Sequence, residues 1–282
     1  MDNHGLAVTI AQGDKSQSRF RADNKPNPPA LVIKLAGRVT VECASAVFTE
    51  RLIYGSQARL VFAMLVLERN RPLSRDELAD ALWPGGLPRT WGPALRGVVS
   101  KVRAFMATAG IPENAPAYDG FGAYQLDLST DVVVDIESAS FAVKTADQML
   151  REGNLRSAVA LADYARSVAM RPFLSDADGW WVAHVRFRLR EVLLWAMGVL
   201  GEGHLKSGRP HLAAQVAEQA TVLEPFRERT HRLLMRAHAA AGNPAEALRV
   251  YDRCRRLLAE ELGVQPAPET AALHRKLIHS KP

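Results

Sequence analysis

Apolar and β-branched residues crowd two short runs at the front of the chain, Leu31-Val32-Ile33-Lys34-Leu35 and Arg38-Val39-Thr40-Val41-Glu42, on either side of Ala36-Gly37. That arrangement predicts a β-hairpin. Arg51-Leu52-Ile53-Tyr54 is expected to add a further strand. From Ser56 the apolar period lengthens, and the run to about Glu68, closed before Pro72, predicts a helix capped by Ser56. Ser74 with Glu77 three residues later is a capping box opening a second, short helix that stops at Trp83-Pro84-Gly85-Gly86. A third helix is predicted over roughly 90–106, with Thr90 as its cap and Pro93 in the first turn, where a missing N–H costs little. After Gly110 a loop leads to Tyr118–Leu128, whose second half alternates like a strand. Gly120 and Gly122 suit a tight hairpin turn there. Strands, three helices and a hairpin, in that order, are an α+β winged helix-turn-helix domain.

From about Ser138 the pattern is wholly helical, punctuated at Gly153, Pro172, Gly179, Pro225 and two similar turns. Gly208-Arg209-Pro210 recurs as Gly242-Asn243-Pro244, 34 residues later, and the apolar stripes Leu212–Leu223 and Ala245–Leu258 follow them. A 34-residue period marks tetratricopeptide-like helix pairs, so an all-α repeat domain is expected. Trp180–Leu205 reads as a longer helix between copies. Phe226, Tyr251 and Leu262 are expected to hold the last pairs together. The chain thus divides into a polar leader over residues 1–30, read as disordered, a winged-helix domain over 31–130 and a helical domain over 131–282.

Composition narrows the function. Charge is 36 basic against 30 acidic residues, a net +6 that favours a polyanionic partner. Cys43 and Cys254 make neither a zinc spacing nor a disulfide framework, which fits a reducing cytoplasm. The longest apolar run, Val192–Leu200, is too short to cross a bilayer, and the N-terminus lacks the order of a signal peptide. No membrane association is expected. No phosphate-binding Gly-x-x-x-x-Gly-Lys-Ser/Thr loop is present, so ATP dependence is not expected. The 30 polar leader residues are too few for a phosphoacceptor domain. His204/His211 and His231/His238 read as surface or satisfied helix residues, and Asp176 and Asp178 as loop solvation beside Trp180-Trp181. With no nucleophile–base motif, no metal set and no cofactor motif, the chain does not read as an enzyme.

The chemistry lies in the third helix. On a helical wheel Leu95, Val98, Val99, Val102, Phe105 and Met106 share one face; Arg96, Ser100 and Arg103 share the other, with Gly97 and Lys101 at its margin. Between Arg89 and Arg103 there are four basic residues and no acid. Arg and Lys can pair with guanine edges or grip phosphates. A basic stripe alone is more often a solvated surface, but as the third helix before a Gly-rich wing it reads as a DNA recognition helix. Trp83 can pack its ring while its indole N–H reaches a phosphate, or serve packing alone. Phe121 and Tyr124 read as packing residues of the wing.

These segments resemble the antibiotic regulatory protein family of actinobacterial activators, which join an OmpR-type winged helix to a bacterial transcriptional activator domain. The resemblance covers about residues 31–280. It rests on Leu73–Trp83, on Val99-Ser100-Lys101-Val102-Arg103, on Gly122–Leu128 with Asp135 and Phe141, and on Glu224-Pro225-Phe226-Arg227-Glu228-Arg229 with Leu233-Leu234-Met235. Ala247-Leu248-Arg249-Val250-Tyr251 and Glu260-Glu261-Leu262-Gly263-Val264-Gln265-Pro266 complete it. The resemblance implies a base-reading role for Lys101 and phosphate contacts for Arg103 and Trp83. Arg96, Ser100, Arg89, Thr90, Gly120 and Gly122 join them as DNA-binding candidates. Two departures stand out: Asp119 replaces the arginine usual before the first wing glycine, and Gly92-Pro93 replaces ordinary helix-start residues. The implied function is sequence-specific activation, with tandem pairs or homodimers on direct repeats in double-stranded promoter DNA. RNA polymerase holoenzyme is the implied partner, in the cytoplasm at the nucleoid, and a secondary-metabolite cluster the implied target. The alternatives are a helical-repeat adaptor whose winged domain binds protein, which Asp119 favours, and a ligand-responsive repressor.

Overall fold

The front of the chain pairs with itself as its β-branched runs require. In the computed structural model, which describes residues 31–43, 46–111, 117–118, 122–128 and 132–279, strands β1 (Leu31–Lys34) and β2 (Thr40–Cys43) form an antiparallel hairpin. The strand expected at Arg51–Tyr54 is not there. Strand β3 is Ala46–Thr49, paired with β2, and Glu50–Leu52 make a single 3-10 turn. The Glu50 carboxylate accepts from the Val39 N–H at 3.3 Å, and the chain turns to bury Ile53 rather than extend. Strand β7 (Val132–Val134) lies parallel to β1 and completes a sheet of order β3-β2-β1-β7.

Helix α1 (Ser56–Leu67) follows, with Gly55 rather than Ser56 in the capping position at φ +95°, a value that favours glycine. Strand β4 (Leu73–Ser74) leads into α2 (Arg75–Leu82). Here the capping box forms as expected: Ser74 Oγ accepts from the Glu77 N–H, and Glu77 accepts from the Ser74 N–H at 2.9 Å. Helix α3 (Trp91–Thr108) has Thr90 at its cap position, but without a side-chain bond to the helix. Strands β5 (Ala117–Tyr118) and β6 (Ala123–Gln125) form the hairpin, and β4 pairs with β6 to give a second sheet of order β4-β6-β5. This is a winged helix-turn-helix arrangement. Asp119, Gly120 and Phe121 lie outside the described residues, as does the leader over 1–30.

The helical region runs α4 (Asp135–Arg151), α5 (Leu155–Ala169), α6 (Trp180–Lys206), α7 (Pro210–Leu223), α8 (Glu228–Ala240), α9 (Pro244–Leu262) and α10 (Pro268–His279). The 34-residue repeat is real in the backbone. Gly208 and Gly242 both take positive φ, and Pro210 and Pro244 each open a helix, where the missing N–H has no partner to lose. Small residues line the contacts between neighbouring helices. A Cβ added at Gly201 would come within 2.5 Å of Leu233 Cδ2, and one at Gly203 within 2.7 Å of Val159 Cγ2. Two of the residues expected to hold the last pairs are not core: Phe226 is 43% exposed and Leu262 54%. Leu262 ends α9 and Phe226 lies in the turn before α8, where the apolar stripe runs out into solvent. Tyr251 does act as expected, its ring stacked on His274 of α10 at 3.7 Å.

One hydrophobic core runs from the first sheet through α1–α3 into α4, α5 and α6. Polar ties close the seam between the two regions. The buried Asp135 carboxylate accepts from the N–H groups of Leu35 at 2.8 Å and Ala36 at 3.1 Å, and from its neighbour Ile136 at 2.8 Å. Burial pushes its pKa up, while those three donors and Arg171 pull in the opposite direction. Arg69, at the end of α1, grips Glu137 of α4 with both terminal nitrogens, one at 2.7 Å. Trp181 Nε1–H donates to Glu68 at 3.2 Å, Arg59 pairs with Asp176, and the Gly37 N–H donates to the Pro172 carbonyl at 2.7 Å.

Candidate nucleic-acid interface

The geometry of α3 follows from its sequence period. Leu95, Val98, Val99, Val102, Phe105 and Met106 are buried, and Phe105 meets Phe62 of α1 edge-on with ring centroids 5.3 Å apart. Anchoring one face that firmly leaves the other in solvent. Arg96, Gly97, Ser100, Lys101 and Ala104 are exposed along it, with Arg89 and Thr90 exposed in the turn just before the helix. Among the described residues, neither Arg96 nor Lys101 has a hydrogen-bond or ion-pair partner. Cations held out on a rigid helix without a counter-charge are the arrangement needed to meet phosphates or base edges.

The other candidates lie differently. Arg103 is half-buried and already engaged within the protein. Trp83 closes α2, donates its backbone N–H to Ala79 at 2.9 Å, and packs half-buried against the core. Its ring therefore serves packing, whatever its indole N–H reaches. Gly122 takes φ +99° and accepts from the Arg75 N–H at 3.1 Å, which ties the hairpin to the start of α2. Tyr124 is buried, as expected of a packing residue, at 5% exposure.

Two neighbours of the site are not apparent from the sequence period. Arg75 lays its guanidinium over the Trp91 ring, 5.2 Å from the centroid, and thereby fixes the start of α3 against α2. A Cβ at Gly92 would stand 2.9 Å from Arg75 Nη2, so a side chain there would make the guanidinium shift. Tyr54 is 73% exposed and shares a notch with Lys101, Ala104 and Thr108 on the C-terminal half of the helix. The sequence carries no signal for it, since Tyr54 falls in a segment whose composition predicts a strand.

No described helix is long and apolar enough to cross a membrane. Burial pushes the Cys254 thiol up to about 11, so it stays protonated at neutral pH.

The bacterial transcriptional activator domain family matches residues 134–278. Regulatory protein AfsR of Streptomyces coelicolor is 30% identical over 234 residues, which cover 83% of this chain and 23% of AfsR. Transcriptional regulatory protein MoaR1 of Mycobacterium tuberculosis is 26% identical over 79% of this chain and 72% of its own length. The chain therefore spans about a quarter of AfsR and most of MoaR1. The solved structure of Mycobacterium tuberculosis EmbR, in complex with a low affinity phosphopeptide, superposes with a TM-score of 0.79 at 24% identity, covering 90% of this chain and 66% of that one. That likeness supports the fold of both regions together. With the winged helix preceding the matched domain, the chain belongs to the antibiotic regulatory protein family of transcriptional regulators.

Proposed function

We propose that this chain is a sequence-specific DNA-binding transcriptional activator. The observation that carries the reading is the exposed face of α3, where Arg96, Ser100 and Lys101 stand unopposed by any acid between Arg89 and Arg103. Arg96 and Lys101 read base edges in the major groove. Arg89, Thr90 and the helix start meet the phosphate backbone, with Arg103 and Trp83 at the margin and Gly122 in the wing; the candidate Gly120 lies outside the described residues. Residues 31–130 supply the DNA contacts and 131–282 the protein contacts. Two copies bind direct repeats about one helical turn apart, which puts both recognition helices on one side of the duplex. The helical region recruits RNA polymerase holoenzyme at the promoter of a secondary-metabolite cluster.

The test is a mobility shift on promoter DNA carrying direct repeats. Arg96→Ala and Lys101→Ala each lose about 1–3 kcal/mol of specific binding and relax base preference. Arg89→Ala weakens all sequences alike and flattens the salt slope by about one. Operator binding at the parental strength in all three variants would sink the assignment.

A further inference from the structure

The seam between the winged helix and the helical region is closed by polar ties, and beside one of them, Arg69–Glu137, it opens. The opening is a cleft of about 270 Å³ where the end of α1 meets α4 and α6. Its floor is apolar: Leu67 from α1, Ile136 from α4, and Val185 and Leu189 from α6. At its rim stand Phe141, 51% exposed, and two exposed cations, Lys144 of α4 and Arg188 of α6. The cleft holds one acid, Glu137, and both of its oxygens are taken by Arg69. That pairing raises the Arg69 pKa, so the acid is answered within the seam. Among the described residues, neither Lys144 nor Arg188 has an ion-pair partner.

An apolar floor, an aromatic edge and two unanswered cations on different helices select for an apolar body carrying a negative charge. At about 270 Å³ the cleft falls just below the roughly 300–1,000 Å³ of small-molecule sites, so its occupant must be small. A ring system fits there, and a folded partner does not. We infer that the cleft formed by Leu67, Ile136, Val185 and Leu189, rimmed by Lys144 and Arg188, binds a small aromatic or alicyclic carboxylate. Its apolar body lies on the floor against Phe141, and its carboxylate accepts hydrogen bonds from Lys144 Nζ and the Arg188 guanidinium. An occupant touches α1 on one side and α4 and α6 on the other, so binding favours the docked arrangement of the two regions over any parted one. The site does not depend on the DNA-binding reading, and its test uses no DNA.

The experiment is isothermal titration of the full chain with 2-naphthoate and with its neutral isostere 2-naphthamide. The carboxylate binds saturably at one site per chain, at least about tenfold tighter than the amide. K144Q/R188Q brings the carboxylate down to the amide's affinity and leaves the amide unchanged, because both substituted side chains lie in solvent and the floor is intact. Phe141→Ser weakens both probes, which separates the apolar contribution from the ionic one. Equal affinity of the two probes for the parental chain overturns the site. So does an unaltered carboxylate affinity in K144Q/R188Q, or no saturation by about 10 mM probe.

Discussion

The two halves of the molecule lean on small residues to different degrees in their packing. The winged-helix core is built from large side chains, with Phe62, Met64, Leu65, Leu78, Leu95, Phe105 and Met106 all fully buried around α1. The helical region buries Ala158, Ala162, Ala165, Ala213, Ala217, Ala220 and Ala247, helped by close approaches at Gly201 and Gly203. Large residues make a single centre that can hold a helix out to solvent on its far face. Small ones let helices stack closely, so each pair depends on its neighbours. The charges divide in the same way. Arg96 and Lys101 on α3 are unpaired, whereas Arg227 binds Glu191, Arg236 binds Glu202, and Arg190 binds Glu224 and the Leu223 carbonyl. On α3 these two cations are left for a partner, while in the helical region these three arginines tie neighbouring helices together.

The sharpest way to break this contrast is to damage each core in its own manner. Phe105→Ala removes a ring packed against Phe62 and costs about 3–5 kcal/mol, as expected for a large aromatic lost from a filled core. Gly201→Val fails by the opposite route, overpacking against Leu233, and costs about 1–3 kcal/mol. Because one core runs through both regions, calorimetry should show a single transition that each variant shifts as a whole. A helical region melting at its parental temperature in Phe105→Ala would show that the shared core does not couple them.

A smaller effect separates the regions by pH. His231 on α8 is buried, with Nε2 2.7 Å from the Pro225 carbonyl, an arrangement that suits a neutral ring donating from that nitrogen. Burial lowers its pKa below 6.5 and Arg253 adds to the effect, while the Pro225 carbonyl and Glu228 act against it. The unfolded chain therefore takes up the proton first as pH falls. Stability is full above 6.5 and is lost from there down to the lowered folded value. His204, also lowered by burial and then by Arg209, adds to the same trend. Thermal melts from about pH 7.5 to 5 should show the loss, and His231→Gln should flatten it while keeping a donor near Pro225. An unchanged slope in that variant would remove His231 from the account.

What was legible in the sequence was local. The Ser74–Glu77 box, the paired Gly-x-Pro turns and the two faces of α3 all rest on residues within a few positions of each other, where backbone geometry leaves few alternatives. What was not legible came from distance. The Asp135 carboxylate reaches the Leu35 and Ala36 N–H groups across 100 and 99 residues, and β7 joins β1 over a similar gap. Nothing in the period of either segment encodes that pairing. Arg51–Tyr54 has the composition of a strand, but β3 already occupies that edge and the chain must turn to reach α1. Arg75 reads as an ordinary first-turn residue of a helix until its place over Trp91 is seen. The face of α3 was readable and the clamp that aims it was not.

The smallest effect bears on which arginines of the helical region meet a partner. Arg227, Arg229 and Arg253 look alike in sequence, near the repeat turns. In the fold Arg227 is half-buried and donates to both oxygens of Glu191 at 2.7 and 2.8 Å, bridging α8 to α6. Arg229 and Arg253 are exposed, and among the described residues neither forms an ion pair. Arg227→Ala should therefore cost stability, though only about 0.2–1 kcal/mol, because both partners are more than a third exposed. Reversing Arg229 and Arg253 together should leave the melting temperature within about a degree, as for surface changes away from packed features. Promoter output in a reconstituted transcription assay should nevertheless fall at constant operator occupancy, because these two cations can face polymerase without first leaving an internal partner. If output instead follows occupancy in that variant, Arg229 and Arg253 contribute solvation alone and the proposed polymerase contact through them fails.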